Sequence, residues 1–269
     1  MKTNLAAQQS GSVRYRAFTL MEVLVVIVII AVLASVTFSI VNKALEKAAV
    51  TKTMGNMKQL ATVSRVFSSD NNDAIMDTWQ TVASDGQKRQ WSEHILVMLS
   101  NELAQSQNYS KSPGDQFAQT IGIFSDPKAI KQAHGKLATS GHYSWRSFGY
   151  NNRLGAFIPQ NPGTNPWKQG AKYTSQVSSP NKLLLYSQPT LSGDRFNYFI
   201  QPNDAASGKI DFDLHGGKAI VGFFDGHVEL FTKANFPGNS GINPNNGAPY
   251  TTQQINEFWF GSVTPFTAP

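Results

Sequence analysis

Six side chains able to bind a cation or carry a proton, Asp204, Asp211, Asp213, His215, Asp225 and His227, fall within 24 residues. Carboxylate oxygens at this density suit calcium, which takes roughly six to eight oxygen ligands. The spacing fits neither an EF-hand loop nor a zinc pattern, and Asp211 and Asp213 share a side only if their segment is extended. One reading is a structural cation held by Asp211, Asp213, His215, Asp225 and His227. The other is turn chemistry, with Asp225 in a hairpin loop and His215 and His227 hydrogen-bonded near a sheet edge.

Other chemistry finds no support in the sequence. A hydrolase needs a nucleophile, a base and oxyanion donors brought together. The chain shows no Gly-x-Ser-x-Gly elbow, HExxH helix, phosphate loop or dinucleotide fingerprint. No enzymatic activity is expected, and no cofactor beyond calcium. The remaining histidines, His94, His134 and His142, are scattered. Without cysteine there are no disulfides, thiolate metal sites, Cys nucleophile or lipidated N-terminal Cys. Trp79, Trp145, Trp167 and Trp259 would suit a ligand or glycan surface if exposed, and core or rim positions otherwise.

One ionisable residue is out of place. From Val23 to Val41 run 19 residues without an ionisable group, interrupted only by Ser35, Thr37 and Ser39. At about 1.5 Å per residue they make a helix of roughly 29 Å, the thickness of a bilayer core. Glu22 sits at its threshold, where a carboxylate is costly unless paired, protonated or near the interface, so it points to a function. The formal charge is +6, but residues 1 to 17 hold Lys2, Arg14 and Arg16 and no acid, which leaves +3 for the rest. No dense basic cluster interleaved with aromatics follows, and no nucleic-acid partner is expected.

Three readings of this N-terminus stand side by side. A secretory signal peptide would be cut after Val32-Leu33-Ala34, but an acid lies inside the apolar stretch and helix-compatible sequence continues it. An uncleaved signal anchor has the right topology, with Lys2, Arg14 and Arg16 cytoplasmic, and leaves Glu22 unexplained. The third reading rests on Arg16-Ala17-Phe18-Thr19-Leu20-Met21-Glu22 followed by the apolar run. This stretch resembles the processing site of type IV prepilins and type II secretion pseudopilins. The resemblance implies that a prepilin peptidase removes a basic leader between Ala17 and Phe18, and that the new amino terminus of Phe18 is N-methylated. Ala17 stands where that family usually has Gly. Glu22 would then be the fifth residue of the mature chain and would meet the α-amine of Phe18, its own or that of a neighbouring subunit.

Helical composition continues from Val41 to about Ser68, rich in Ala, Lys, Leu, Met and Gln and free of Pro. Val50, Met54, Met57 and Ala61 form a stripe suited to docking on a globular head, while Ala44, Leu45 and Ala48 point elsewhere. The turn-rich SSDNND closes this helix. A second helix is predicted over Trp91 to Ala104, with Ile95, Leu96, Met98, Leu99 and Leu103 on its core face. Residues 106 to 114 and 236 to 250 read as irregular. Strand candidates are GHYSWRSFGYN, NKLLLYSQ, RFNYFIQ, KAIVGFF and HVELF. Asp225-Gly226 between the last two predicts a two-residue type I′ hairpin loop within about 218 to 232. That register pairs Phe224 with His227, Phe223 with Val228 and Val221 with Leu230. Val221, Phe223, Val228 and Leu230 would then face the core, with Gly222, Phe224, His227 and Glu229 opposite.

His215, nine residues, then Asp225-Gly226 resembles the C-terminal signature of a bacterial family of prepilin-type, processing-associated proteins. IGIFSDPKA sits where that family often has Cys-Pro-Ser-Asp-Pro, with Phe124 in place of the Cys-Pro pair. Pseudopilins of the major type are known for a calcium site in a C-terminal loop, which is what the acidic cluster would supply by resemblance.

The expectation is an α+β chain, with a long N-terminal helix packed on a C-terminal head that holds a small antiparallel sheet. Its parts are a leader (1–17), a membrane or filament-core helix (18–41), a soluble continuation (42–70) and a head (71–269). The resemblance implies a filament subunit, anchored in the bacterial inner membrane with the head periplasmic. Its partners would be the membrane, the prepilin peptidase and other pilin-like subunits. The competing expectation is a membrane-anchored periplasmic binding module that carries the same signal and does not polymerise.

Overall fold

The computed structural model describes residues 19–78, 81–82, 88–99, 122–133, 146–155, 171–192, 195–196, 199–202, 204–238 and 241–263. The chain divides into two units, Met1–Glu46 and Lys47–Pro269. One helix, α1 (Leu20–Asp70), contributes to both. Its long run of Leu, Val, Ile and Ala contains no proline, and Gly55 does not interrupt it. It stops where Asn72 and Asp73 take left-handed φ of 53° and 59°, a conformation short polar side chains tolerate. The amide of Asp73 then caps the carbonyl of Ser68 at 2.8 Å.

In the second unit the elements follow in the order β1 (Thr81–Val82), β2 (Lys88–Arg89), α2 (Trp91–Leu99), α3 (Pro127–Ala133), β3 (Gly149–Asn151), β4 (Leu184–Ser187), β5 (Leu191–Ser192), β6 (Arg195–Phe196), β7 (Phe199–Ile200), β8 (Lys218–Phe223), β9 (Val228–Thr232) and α4 (Thr252–Phe260). Five strands form the main sheet in the order β7-β3-β4-β8-β9. The sheet is mixed rather than purely antiparallel, because Tyr150 and Asn151 pair in parallel with Phe199 and Ile200. Helix α2 ends at Leu99, and the Ser100–Ala104 part of the expected helix lies outside the described residues, as does the polar stretch 106–114. Ile95 and Leu96 are core, whereas Met98 and Leu99 are 36% and 45% exposed.

Both faces of the sheet are covered. On one, Met57, Leu60 and Ala61 of α1 join Trp91, Ile95, Phe124, Phe148, Tyr150, Leu185, Tyr186 and Ile220, with Val50 and Met54 packed alongside. The predicted stripe on α1 is therefore its docking face. On the other face, Leu184, Ala219, Val221 and Phe223 meet Phe236, Phe258, Trp259 and Phe260. Alternate residues of β8 thus serve opposite cores.

The hairpin differs from its predicted register by one residue. Its loop has three residues, Phe224-Asp225-Gly226, closed by the Phe223 amide on the His227 carbonyl at 2.9 Å and the Gly226 amide on the Phe223 carbonyl at 3.0 Å. Only Gly226 takes positive φ, 95°, so this is a type I turn followed by a left-handed glycine rather than type I′. Val221 pairs with Glu229 and Gly222 with Val228. A shift of one residue moves a whole strand to the other face. Val221 and Phe223 are core as expected, but Val228 packs on the opposite core and Leu230 is 40% exposed. Phe224 is buried in the loop.

Helix α4 was not among the predicted elements, although its termini carry local signals. Thr251 and Gln254 form a capping box, and Gly261 ends the helix at φ 74°. Beneath the α1 face, the Tyr186 hydroxyl lies 2.5 Å from Ser64 Oγ. Burial raises the phenol pKa of both Tyr186 and Tyr150 above the ordinary 10.0. A raised phenol contributes stability that is complete below about pH 10 and is lost as pH rises through its folded value. The head is therefore expected to unfold in alkali, with two of its seven tyrosines ionising only as it does. Phenolate absorbance and circular dichroism followed together check this, and ionisation of all seven in the folded head would refute it.

Candidate functional site

At its N-terminus, α1 begins with a reciprocal pair of side-chain and backbone bonds. Thr19 Oγ1 accepts from the amide of Glu22 at 3.2 Å, and Glu22 Oε2 accepts from the Thr19 amide at 2.8 Å and its hydroxyl at 2.9 Å. This is a capping box, which satisfies backbone donors that a helix start leaves unpaired. Thr19 was not singled out from the sequence, although Thr-x-x-Glu before an apolar run is its ordinary signal. Ala17 and Phe18 lie outside the described residues.

Every residue from Leu20 to Ala48 is exposed. Among them are Leu24, Ile27, Ile30, Leu33, Phe38 and Ile40, at 46% to 71%. Two hydroxyls in this stretch are satisfied within it: Ser35 Oγ donates to the Val32 carbonyl at 2.8 Å and Thr37 Oγ1 to the Leu33 carbonyl at 2.7 Å. A helix with all backbone bonds internal and its hydroxyls folded back is compatible with lipid. By length and composition α1 can cross a membrane, with a mean hydropathy of 3.0 over its most apolar window.

The acidic and histidine cluster is dispersed by the fold. Asp211 Oδ1 accepts from the amides of Asp213 and Leu214, both at 3.0 Å, closing its own turn. Asp204 closes another by accepting from the Gln201 amide at 2.9 Å, and burial raises its carboxyl pKa. At the hairpin, His227 Nδ1 lies 2.5 Å from Asp225 Oδ1 and Nε2 lies 3.5 Å from Glu229 Oε1. The same ring stacks on Phe223 at 4.1 Å. His215 turns inward to Asp126, 2.6 Å away. Among the described residues, no three His, Asp or Glu side chains converge as a metal group. Among the described residues the five-residue set is not gathered into one metal group: Asp211 closes its own turn, His215 faces Asp126, and Asp225 and His227 pair at the hairpin.

The aromatic surface also changes character. Trp259 is fully buried and its Nε1 donates to the Pro237 carbonyl at 2.9 Å. It serves the core, while Trp79, Trp145 and Trp167 lie outside the described residues. The same holds for His134 and His142, whereas His94 is buried beside Phe67, their rings 5.0 Å apart.

A family model for the prokaryotic N-terminal methylation motif matches residues 13–38. This is a prepilin-type signal. It covers the capping box, Glu22 and most of the exposed apolar helix, and it supports a type IV pilin-like precursor. The match ends within α1, so it describes the N-terminus of the prepilin-type chain and leaves the head to be read from its own geometry. No curated protein and no solved structure matches the chain.

Proposed function

We propose that this prepilin-type chain is a structural subunit of an envelope filament of the type IV pilus or type II secretion kind, with assembly rather than catalysis as its role. The observation that supports it best is the coincidence of the methylation motif with an apolar helix exposed along its whole circumference. So much apolar surface is stable in lipid or among like helices, and not in water. The membrane is then the storage site and the filament core the destination.

In this reading the peptidase cuts between Ala17 and Phe18 on the cytoplasmic side, and the new α-amine of Phe18 is methylated. Thr19 and Glu22 keep their capping box after the cut, since all its atoms lie beyond Phe18. Both Thr19 bonds fall on Glu22 Oε2, which leaves Oε1 to accept from the Phe18 amine of a neighbouring subunit. Partnering that amine lowers the cost of carrying the carboxylate into an apolar bundle. The head lies in the periplasm and remains on the filament surface after extraction from the inner membrane. N-terminal mass spectrometry of the chain from native membranes should find N-methyl-Phe18. An intact Met1 would remove the processing step and the role built on it.

A further inference from the structure

Asp126, Gln188 and His215 come from three separate segments and meet in the interior, Asp126 fully buried, Gln188 1% exposed and His215 8% exposed. Asp126 Oδ1 caps α3, accepting from the amides of Lys128 at 2.7 Å and Ala129 at 3.3 Å. Pro127 follows at the first helical position, where its missing N–H costs nothing. Asp126 Oδ2 faces His215 Nε2 at 2.6 Å and also accepts from Gln188 Nε2. The Gln188 amide cannot be turned over, because its Oε1 accepts from the Ile220 amide at 3.1 Å.

The proton on His215 can be placed by elimination. Its Nδ1 is buried with no hydrogen-bond partner among the described residues, so a proton there would be stranded at a desolvation cost. On Nε2 the proton has the Asp126 carboxylate in line. Two donors then converge on one oxygen, which accounts for the 3.0 Å between the side-chain nitrogens of Gln188 and His215. The carboxylate has four donors in all and needs no cation.

The segment this carboxylate belongs to is held on its other side by the helix. Asn56 of α1 donates from Nδ2 to the carbonyls of Gly122 at 2.7 Å and Ser125 at 2.9 Å. The Ser147 amide donates to the Phe124 carbonyl at 3.1 Å, and the Asp126 amide donates to Ser147 Oγ. We infer that Asp126, Gln188 and His215 form a buried lock that fixes residues 122–133 between α1 and the sheet, with His215 as the neutral tautomer donating from Nε2. Asp126 and His215, 89 positions apart, are on this view positioning residues for one device: they keep the head seated on the helix that carries it.

The test uses the full chain in detergent, with histidine labelled for nitrogen NMR and backbone amides followed by hydrogen exchange. Wild-type His215 should show its proton on Nε2. In His215→Ala and His215→Asn, exchange of the 127–133 amides should rise by at least about tenfold, since a donor is missing or one carbon too short. His215→Gln, whose Nε2 reaches the same place, should restore protection to within about threefold of wild type. A proton on Nδ1, or equal behaviour of the Asn and Gln variants, would overturn the lock. Should the Ala variant fail to fold, the wild-type tautomer and the Asn/Gln pair still decide the matter.

Discussion

Replacing Glu22 by Ala is expected to leave the precursor inserted in the membrane while its recovery in filaments falls by at least about tenfold, as for loss of one partner of a desolvated charge pair. Insertion should survive because the change removes the only acid from the start of an apolar span. Assembly should not, because the incoming α-amine of Phe18 would then have no carboxylate to meet. The capping box supplies the control. Glu22→Ala also removes both bonds from Thr19, so a weakened helix start by itself would be an alternative cause. Thr19→Ala removes the two bonds through Oγ1 and keeps the carboxylate with its bond from the Thr19 amide. It should reduce recovery far less than Glu22→Ala. Immunodetection in membrane and sheared-filament fractions gives both quantities. Equal loss in the two variants would reduce Glu22 to a capping residue, and undiminished recovery of Glu22→Ala would remove its assembly role.

The largest effect on the head is expected from Trp91→Ala. Trp91 is fully buried, with ring centroids 5.3 Å from Tyr186, 5.8 Å from Tyr150 and 5.9 Å from Phe124. The Arg146 guanidinium lies over its face at 5.7 Å. It joins α2, the Gly122–Phe124 turn and two strands of the sheet, so truncation leaves a cavity that no single element can fill. Such a change costs about 3–5 kcal/mol, a large part of the roughly 5–15 kcal/mol that holds a domain together. Urea unfolding of the full chain in detergent, read by near-ultraviolet circular dichroism, should show the midpoint collapse. Trp91→Phe should retain more than half of the lost stability. A change below about 1 kcal/mol for Trp91→Ala would mean that this aromatic cluster is not the head's centre.

Stretches governed by neighbours in the chain were legible in the sequence. The Val50, Met54, Met57 and Ala61 stripe marks the docking face of α1, because helical spacing alone puts those side chains together. The same face buries Thr53, Asn56, Ser64 and Ser68, which no apolar pattern announces. Asn56 and Ser64 are there for partners on distant segments, the Gly122 and Ser125 carbonyls and the Tyr186 hydroxyl. Helix α4 escaped for a related reason. Asn256 and Glu257 are buried along with Phe258, Trp259 and Phe260, so polar and apolar residues share the interior, and a helix of 9 residues is too short for the spacing of Ile255, Phe258 and Trp259 to declare it. Glu257 is held there by Lys182 Nζ at 2.8 Å.

The sequence by itself determined the N-terminus: the basic residues ahead of the span, the acid at its threshold, the apolar run and its continuation as helix are all written in adjacent residues. Local composition and periodicity suffice there because the bonds of Thr19 and Glu22 at the helix start, and those of Ser35 and Thr37 along it, close within about one turn of the same helix. Only the tertiary structure decided the hairpin register and the fate of the acidic cluster. Asp225-Gly226 permits loops of two or three residues, and packing against two cores selects the latter. His215 lies ten positions before Asp225 in the chain, yet it turns away to a carboxylate 89 positions distant. A buried polar group goes to whichever partner the fold brings within reach, because leaving it unpaired costs more than the distance in sequence.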